Sequence, residues 1–159
     1  MHMHKMEKIW LFIGIGTLIL FLAIVGVNAF YMGNKPPSCI ATINPDRVSS
    51  TPPFNHPGVK QIGKNHYQVT VVASAFSFDP GDIKIPLGAK VDFVAATKDV
   101  VHGFEIAKTD VNFMIEPGYI STYSTTFKKP GEYLLLCNEY CGTGHQLMAT
   151  KLEVVGNEQ

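Results

Sequence analysis

Within the twelve residues Cys137-Asn138-Glu139-Tyr140-Cys141-Gly142-Thr143-Gly144-His145-Gln146-Leu147-Met148 the chain concentrates two thiols, an imidazole and a thioether. These are soft donors. They select copper, zinc or iron–sulfur clusters over hard cations, and a His/Cys set with a weak methionine is the donor composition of a copper electron-transfer site. Cys141, His145 and Met148 alone would suit one copper held in a loop between two strands. Cys137, at the end of the run Gly131-Glu132-Tyr133-Leu134-Leu135-Leu136, adds a second thiolate that such a site does not use. A pair of metals is implied. The residue types leave other outcomes open: a Cys137–Cys141 disulfide in an oxidising compartment, a Cys₂His₂ zinc site completed by His145 and His102, or mononuclear blue copper. Neither the disulfide nor zinc uses Met148.

The order of two cysteines, an intervening residue offering its carbonyl, a histidine and a methionine resembles at every position the binuclear copper-A motif of subunit II of the haem-copper cytochrome c oxidases. Upstream, Asp99-Val100-Val101-His102-Gly103-Phe104 is similar to the family's segment carrying the other histidine. The resemblance implies that Cys137 and Cys141 bridge two coppers and that His102 and His145 each bind one. Met148 sulfur and the backbone carbonyl of Glu139 are then the weak outer ligands. Two thiolates and a copper pair sharing one unpaired electron leave a single net positive charge, which one-electron reduction removes. So small and delocalised a charge suits burial better than a concentrated ion. Many family members also place magnesium at the contact with subunit I, and the Glu139 carboxylate is a hard-oxygen candidate for it. The alternative for that carboxylate is a solvated or salt-bridged loop residue.

The elements that must position these residues follow from composition. Hydrophobic residues at 46% against only 16% charged, in 159 residues, imply one folded domain plus a concentrated apolar segment. A formal charge of zero excludes a nucleic-acid footprint. The apolar segment is Ile9 to Tyr31, free of charge, with Thr17 and Asn28 as its strongly polar members. As a helix it spans roughly 34 Å, enough for a bilayer core of about 30 Å. A signal peptide has a shorter apolar core and a small-residue cleavage site, which Ala29-Phe30-Tyr31 is not. Trp10 and Tyr31 fit the aromatic belts of the two interfaces. Lys5 and Lys8 precede the span and Lys35 follows it, so the N-terminus is expected in the cytoplasm and the rest of the chain outside the cell membrane. A single span resembles the smaller B-type branch of the family.

Three regions are expected: residues 1–33 as cytoplasmic N-terminus and transmembrane helix, 34–63 as a Pro-rich surface linker, and 64–159 as the copper-A domain. The linker reading rests on Pro36, Pro37, Pro45, Pro52, Pro53 and Pro57 with little apolar periodicity. Cys39 within it is expected as an unpaired thiol. From His66 the pattern changes to short β-type runs: Tyr67 to Phe78, Ile83 to Pro86, Val91 to Ala95, Phe104 to Ala107, Tyr119 to Phe127, Glu132 to Cys137 and Met148 to Val155. Turn signals such as Pro80-Gly81, Pro117-Gly118 and Pro130-Gly131 separate them. The fold class is all-β, a sandwich or barrel, with one N-terminal transmembrane α-helix. The resemblance makes it a Greek-key cupredoxin-like barrel. His2, His4, His56 and His66 are expected as solvated or capping residues and Met114 as core packing. The resemblance aligns Ala75-Phe76-Ser77-Phe78 with the family's aromatic electron entry, which usually contains tryptophan, so Phe76 and Phe78 are either contact residues or core residues sharing one strand face.

Function follows from site and resemblance together. The chain is expected to be the copper-A subunit of a membrane terminal oxidase, taking electrons singly from cytochrome c outside the membrane and passing them to haem in subunit I, where oxygen is reduced. Subunit I, cytochrome c and the lipid bilayer are the implied partners, with room for a small third subunit. The membrane segment carries no histidine and the chain no Cys-x-x-Cys-His, so haem belongs elsewhere. The competing readings are the copper-A subunit of a nitric oxide reductase and a membrane-tethered copper shuttle or copper-delivery protein.

Overall fold

The apolar run forms helix α1 (Lys5–Gly26), continued by a π-helical turn over Val27–Tyr31. The computed structural model describes residues 4–31 and 37–156; His2 and Lys35 lie outside the described residues. α1 begins at a capping box in which Met6 N–H donates to His4 Nδ1 and His4 N–H donates to Glu7 Oε2 at 2.8 Å. His4 is therefore a cap, as its position suggested. Over Lys5–Tyr31 no residue is buried, and the helix is apolar around its whole circumference, a surface that lipid satisfies and water does not. Within the apolar run Ile9 to Tyr31 the two strongly polar side chains bond back to the helix, Thr17 Oγ1 to Gly14 O and Asn28 Nδ2 to Ile24 O. The chain divides after Pro36 into two units, of which this is the first.

The second unit is built from two sheets. One has the order β1-β9-β6-β3-β2, made of β1 (Ser38–Thr42), β9 (Tyr119–Thr126), β6 (Lys90–Thr97), β3 (His66–Ser74) and β2 (Gly58–Gly63), with β4 (Ser77–Asp79) paired to β3. The other has the order β5-β11-β10-β7-β8, made of β5 (Ile83–Pro86), β11 (Ala149–Val155), β10 (Gly131–Leu136), β7 (His102–Ile106) and β8 (Asn112–Ile115). Alternating residues of both sheets meet in a core around Phe93, Phe104, Ile106, Ile115, Leu135 and Leu152, all 0% exposed. Phe104 is its hub: it stacks on Phe113 at 4.7 Å and meets Phe93 at 5.2 Å and Phe78 edge-on at 5.8 Å. Phe104 lies two residues from His102, so this packing fixes the strand that presents the imidazole.

Three local expectations are corrected. Of the linker expected over 34–63, the described residues 37–63 are not a surface linker, because Ser38–Thr42 and Gly58–Gly63 are strands of the first sheet and Pro45–Ser50 is a 3₁₀ helix capped by Asn44. Ile43, Val48 and Phe54 from this segment pack on Val72 and Ala96 in a second core. The outer face of β3 and β6 is thereby covered, which is why Val69 to Ala73 is buried without alternation. The prolines concealed this by breaking periodicity while leaving three well-spaced apolar anchors. Secondly, Tyr67 to Phe78 is not one strand: the chain reverses at Ala75-Phe76 and pairs Ser74 with Ser77 and Val72 with Asp79. Phe78 is buried and Phe76 stands at the turn, 37% exposed. Thirdly, Met114 is 44% exposed, since Phe113 and Ile115 take the inward positions of β8. Cys39 is an unpaired thiol on β1, half-buried, with its sulfur 3.4 Å from Ser121 Oγ.

Candidate metal centre

β10 and β11 are antiparallel neighbours paired as far as Leu136 with Ala149, so residues 137–148 form a loop whose two ends are held together by the sheet. Cys137 N–H donates to Met148 O at 3.1 Å and closes its base. His102 opens β7, the strand next to β10. Residues far apart in sequence therefore meet at one end of the sandwich.

Cys137 Sγ lies 3.8 Å from Cys141 Sγ, 4.0 Å from His102 Nδ1 and 3.1 Å from the Glu139 carbonyl oxygen. Cys141 Sγ lies 3.6 Å from His145 Nδ1 and 3.7 Å from Met148 Sδ. The structure brings all six residues singled out from the sequence together around the two thiols. The sulfurs are nearly twice as far apart as a disulfide bond of about 2.05 Å, and both cysteines are free. The two thiols and the four donors around them make six, more than the four that a structural zinc uses. The site is mostly dry: Cys137, Cys141, Met148 and His102 are 5%, 7%, 2% and 0% exposed. Burial pushes the Cys141 thiol up to about 11, with the neighbouring Cys137 adding to it. A metal entering the site must therefore displace thiol protons.

Sequence reasoning missed the residues around the donors. His102 Nε2 is 2.8 Å from Asp99 Oδ1. Burial pushes the Asp99 carboxyl up, but hydrogen bonds from His102, the Ala75 and Val100 N–H groups and Thr97 outweigh it and hold it at about 2. An ionised acceptor there keeps the hydrogen on Nε2 and turns the Nδ1 lone pair toward Cys137. A carboxylate three residues before a candidate ligand histidine was the available signal. Gly103 is needed because a Cβ there would meet the Asn138 side chain and lie 2.8 Å from the backbone nitrogens of Asn138 and Glu139. The loop that presents the Glu139 carbonyl rests on this glycine, and Asn138 Nδ2 donates to Asn112 Oδ1 at 3.1 Å beside it. His56 and His66 take no part in the metal centre; His66 Nε2 bonds to Asp92 Oδ2 at 2.6 Å.

The family model for the periplasmic domain of cytochrome c oxidase subunit II matches residues 65–155. A cytochrome c oxidase subunit 2 of Thermus thermophilus is 38% identical over 146 residues, covering 89% of this chain and 87% of that protein. This chain belongs to the cytochrome c oxidase subunit II family. A second subunit 2 from Thermus thermophilus is 42% identical over 118 residues, 73% of this chain and 87% of the relative. A chain of a haem-copper terminal oxidase dimer superposes with a TM-score of 0.79 at 31% identity, over 95% of this chain and 100% of its own length. The periplasmic domain of subunit II from Bradyrhizobium japonicum, at TM-score 0.52 and 16% identity over 57% of this chain and 84% of its own, shares the fold, which is cupredoxin-like. As a subunit II, the chain is a membrane-anchored electron-transfer component of a terminal oxidase and assembles with other oxidase subunits. These relatives are oxidase subunits, neither nitric oxide reductases nor copper shuttles.

Proposed function

We propose that the chain holds a binuclear copper-A centre through His102, Cys137, Glu139 O, Cys141, His145 and Met148, receives electrons there from cytochrome c, and hands them to haem in subunit I for oxygen reduction. The observation that carries this is the convergence of two imidazole nitrogens, a thioether and a backbone carbonyl on two thiols 3.8 Å apart. Bound copper would supply one-electron redox chemistry. The chain's own part is to keep the donors fixed and water away. Strand-held His102 and its Asp99 tether resist rearrangement between oxidation states, and the buried thiols exclude solvent. Tyr140 and Leu147, 72% and 77% exposed, stand on the ligand loop and offer an apolar face on which a cytochrome c could dock.

The helix Lys5–Tyr31 spans the cell membrane in this reading, with its Lys5 and Lys8 end in the cytoplasm and the β domain outside. The Glu139 side chain is exposed and in no described cluster of metal-binding groups, so magnesium there would draw its remaining ligands from subunit I. The test is the full chain purified in detergent, loaded with copper and analysed for metal. Two coppers per chain, a purple colour and one unpaired electron shared by both are expected, and Cys137→Ser or Cys141→Ser should abolish all three. One zinc, or one copper with an ordinary four-line paramagnetic spectrum, would overturn the assignment.

A further inference from the structure

Phe76 belongs to no ligand set, yet its ring lies against the ligand loop at the two places where that loop is glycine. A Cβ on Gly144 would stand 2.7 Å from Phe76 Cγ and 2.8 Å from Cε2. A Cβ on Gly142, whose φ is +131°, would stand 3.0 Å from Cε1 and 3.1 Å from Cζ. Carbon atoms in contact prefer about 3.5–4.0 Å. The two glycines thus form a seat that only hydrogen can line, and the aromatic ring fills it. Cys141 immediately precedes this seat and His145 immediately follows it.

The turn that carries Phe76 is tied to the other half of the site. Ala75 N–H donates to Asp99 Oδ2 at 2.7 Å, while the second oxygen of the same carboxylate takes His102 Nε2 at 2.8 Å. Contacts therefore run from His102 through one carboxylate to the backbone beside Phe76, and through the ring to the loop between Cys141 and His145. The loop's hydrogen bonds at this point are internal: His145 N–H to Gly142 O, Leu147 N–H to Gly144 O and Met148 N–H to His145 O. They shape the loop without fastening it to the sandwich. The ring supplies a fastening.

We propose that Phe76 is the positioning residue of the loop half of the metal centre, a clamp that holds Cys141 and His145 in register with His102 and keeps water and competing chelators off them. The proposal rests on the copper reading above only for its metal-bound test. Removing the ring leaves every donor in place but lets the loop open, so exchange through the open state quickens.

In the copper-loaded full chain in detergent, Phe76→Ala should lose copper to a soluble chelator about tenfold faster or more while keeping the wild-type donor set in its spectrum. Phe76→Leu should fall between the two. Gly144→Ala should be as damaging as Phe76→Ala in the wild-type background and nearly silent in the F76A background, because the ring it collides with is gone. In the metal-free chain, alkylation of Cys141, resolved from Cys39 and Cys137 by peptide mass spectrometry, should also quicken about tenfold in F76A at an unchanged global unfolding midpoint. Unchanged chelator and alkylation rates in F76A, or a Gly144→Ala defect that persists without the ring, would overturn the clamp. A wild-type chain that takes up no copper pair would sink the copper reading instead, and the metal-free alkylation would still decide the role of Phe76.

Discussion

The two histidines of the centre are held in opposite ways. His102 is the first residue of β7, paired across to Ile115, 0% exposed, and its outer nitrogen is tied to an ionised Asp99 that Thr97 and two backbone N–H groups also hold. His145 opens a one-turn 3₁₀ helix in a connecting loop, half-buried, near the ring of Tyr140 at 5.9 Å and two residues before the exposed Leu147. The sheet places the first donor before any metal arrives. The second depends on loop packing. The loop also carries the exposed apolar side chains, so the half of the site that a partner can reach is the half held with fewer constraints. A site that must keep its geometry during electron transfer and still meet a partner gains by dividing those tasks.

The sharpest way to break this comparison is to delete each imidazole in the metal-free full chain. His102→Ala leaves a buried cavity and strips Asp99 of a partner, and should cost about 2–4 kcal/mol of stability. His145→Ala should cost less than about 1 kcal/mol, as half-exposed loop substitutions do. Denaturant unfolding followed by near-ultraviolet circular dichroism of the β domain measures both. Equal losses would mean that the loop is as deeply built into the fold as the strand.

Legibility in the sequence follows the same division. The candidate donors stand out because soft side chains at such spacing have few other uses, and the long charge-free run Ile9 to Tyr31 stands out because few soluble elements need one. Apart from β8 (Asn112–Ile115), which was not among the expected runs, the strands from Ile83 onward were legible through turn signals such as the Pro-Gly pairs. What was hidden depends on tertiary contact. Val48 and Phe54 join a core only because β3 and β6 offer a second apolar face, and prolines nearby made their segment resemble a linker. The reversal at Ala75-Phe76 contains neither glycine nor proline, so nothing local separated Phe76 from the strand around it. Gly103, Gly142 and Gly144 carry no chemistry of their own; their roles exist only once β7, the β3–β4 turn and the ligand loop lie side by side.

A smaller effect separates stability of the sandwich from integrity of the centre. At the other end of β6 from Thr97, about 16 Å along the strand, Asp92 accepts from Ser124 Oγ and is paired with His66, both at 2.6 Å. Burial pushes its carboxyl up, but the hydrogen bonds from Ser124 and His66 and the charge of Lys90 outweigh that and leave it below its usual value. A depressed folded-state pKa gives stability that is present above the unfolded carboxylate range and is lost as pH falls through the folded value. The group is partly exposed, so the contribution is a fraction of a kcal/mol. Asp92→Asn should flatten the acid limb of the stability profile below about pH 4 and leave the copper spectrum at pH 7 unchanged. A spectrum that shifts with this substitution would show that the far end of the sandwich communicates with the centre.

The smallest expected effect concerns the exposed half of the site and its partner. Twelve acidic and eleven basic residues follow the helix, so the β domain has almost no net charge with which to attract a basic cytochrome c. The large apolar side chains exposed on the loop are Tyr140 and Leu147, with Phe76 at 37% beside it. The tryptophan that the family resemblance implies at an aromatic electron entry has no counterpart in the β domain, since Trp10 of the membrane helix is the chain's one tryptophan. Of the carboxylates nearby, Asp99 is already engaged by His102 and Ala75, which leaves Glu139 as the acidic side chain within the loop itself. Apolar contact without long-range steering makes association insensitive to screening. Stopped-flow reduction of the copper centre by its cytochrome c should therefore change by less than about threefold from low to physiological ionic strength, over which the Debye length shrinks to about 8 Å. A fall of more than about tenfold would place an acidic patch at the docking face, and Glu139→Gln would then be the first variant expected to remove the salt dependence.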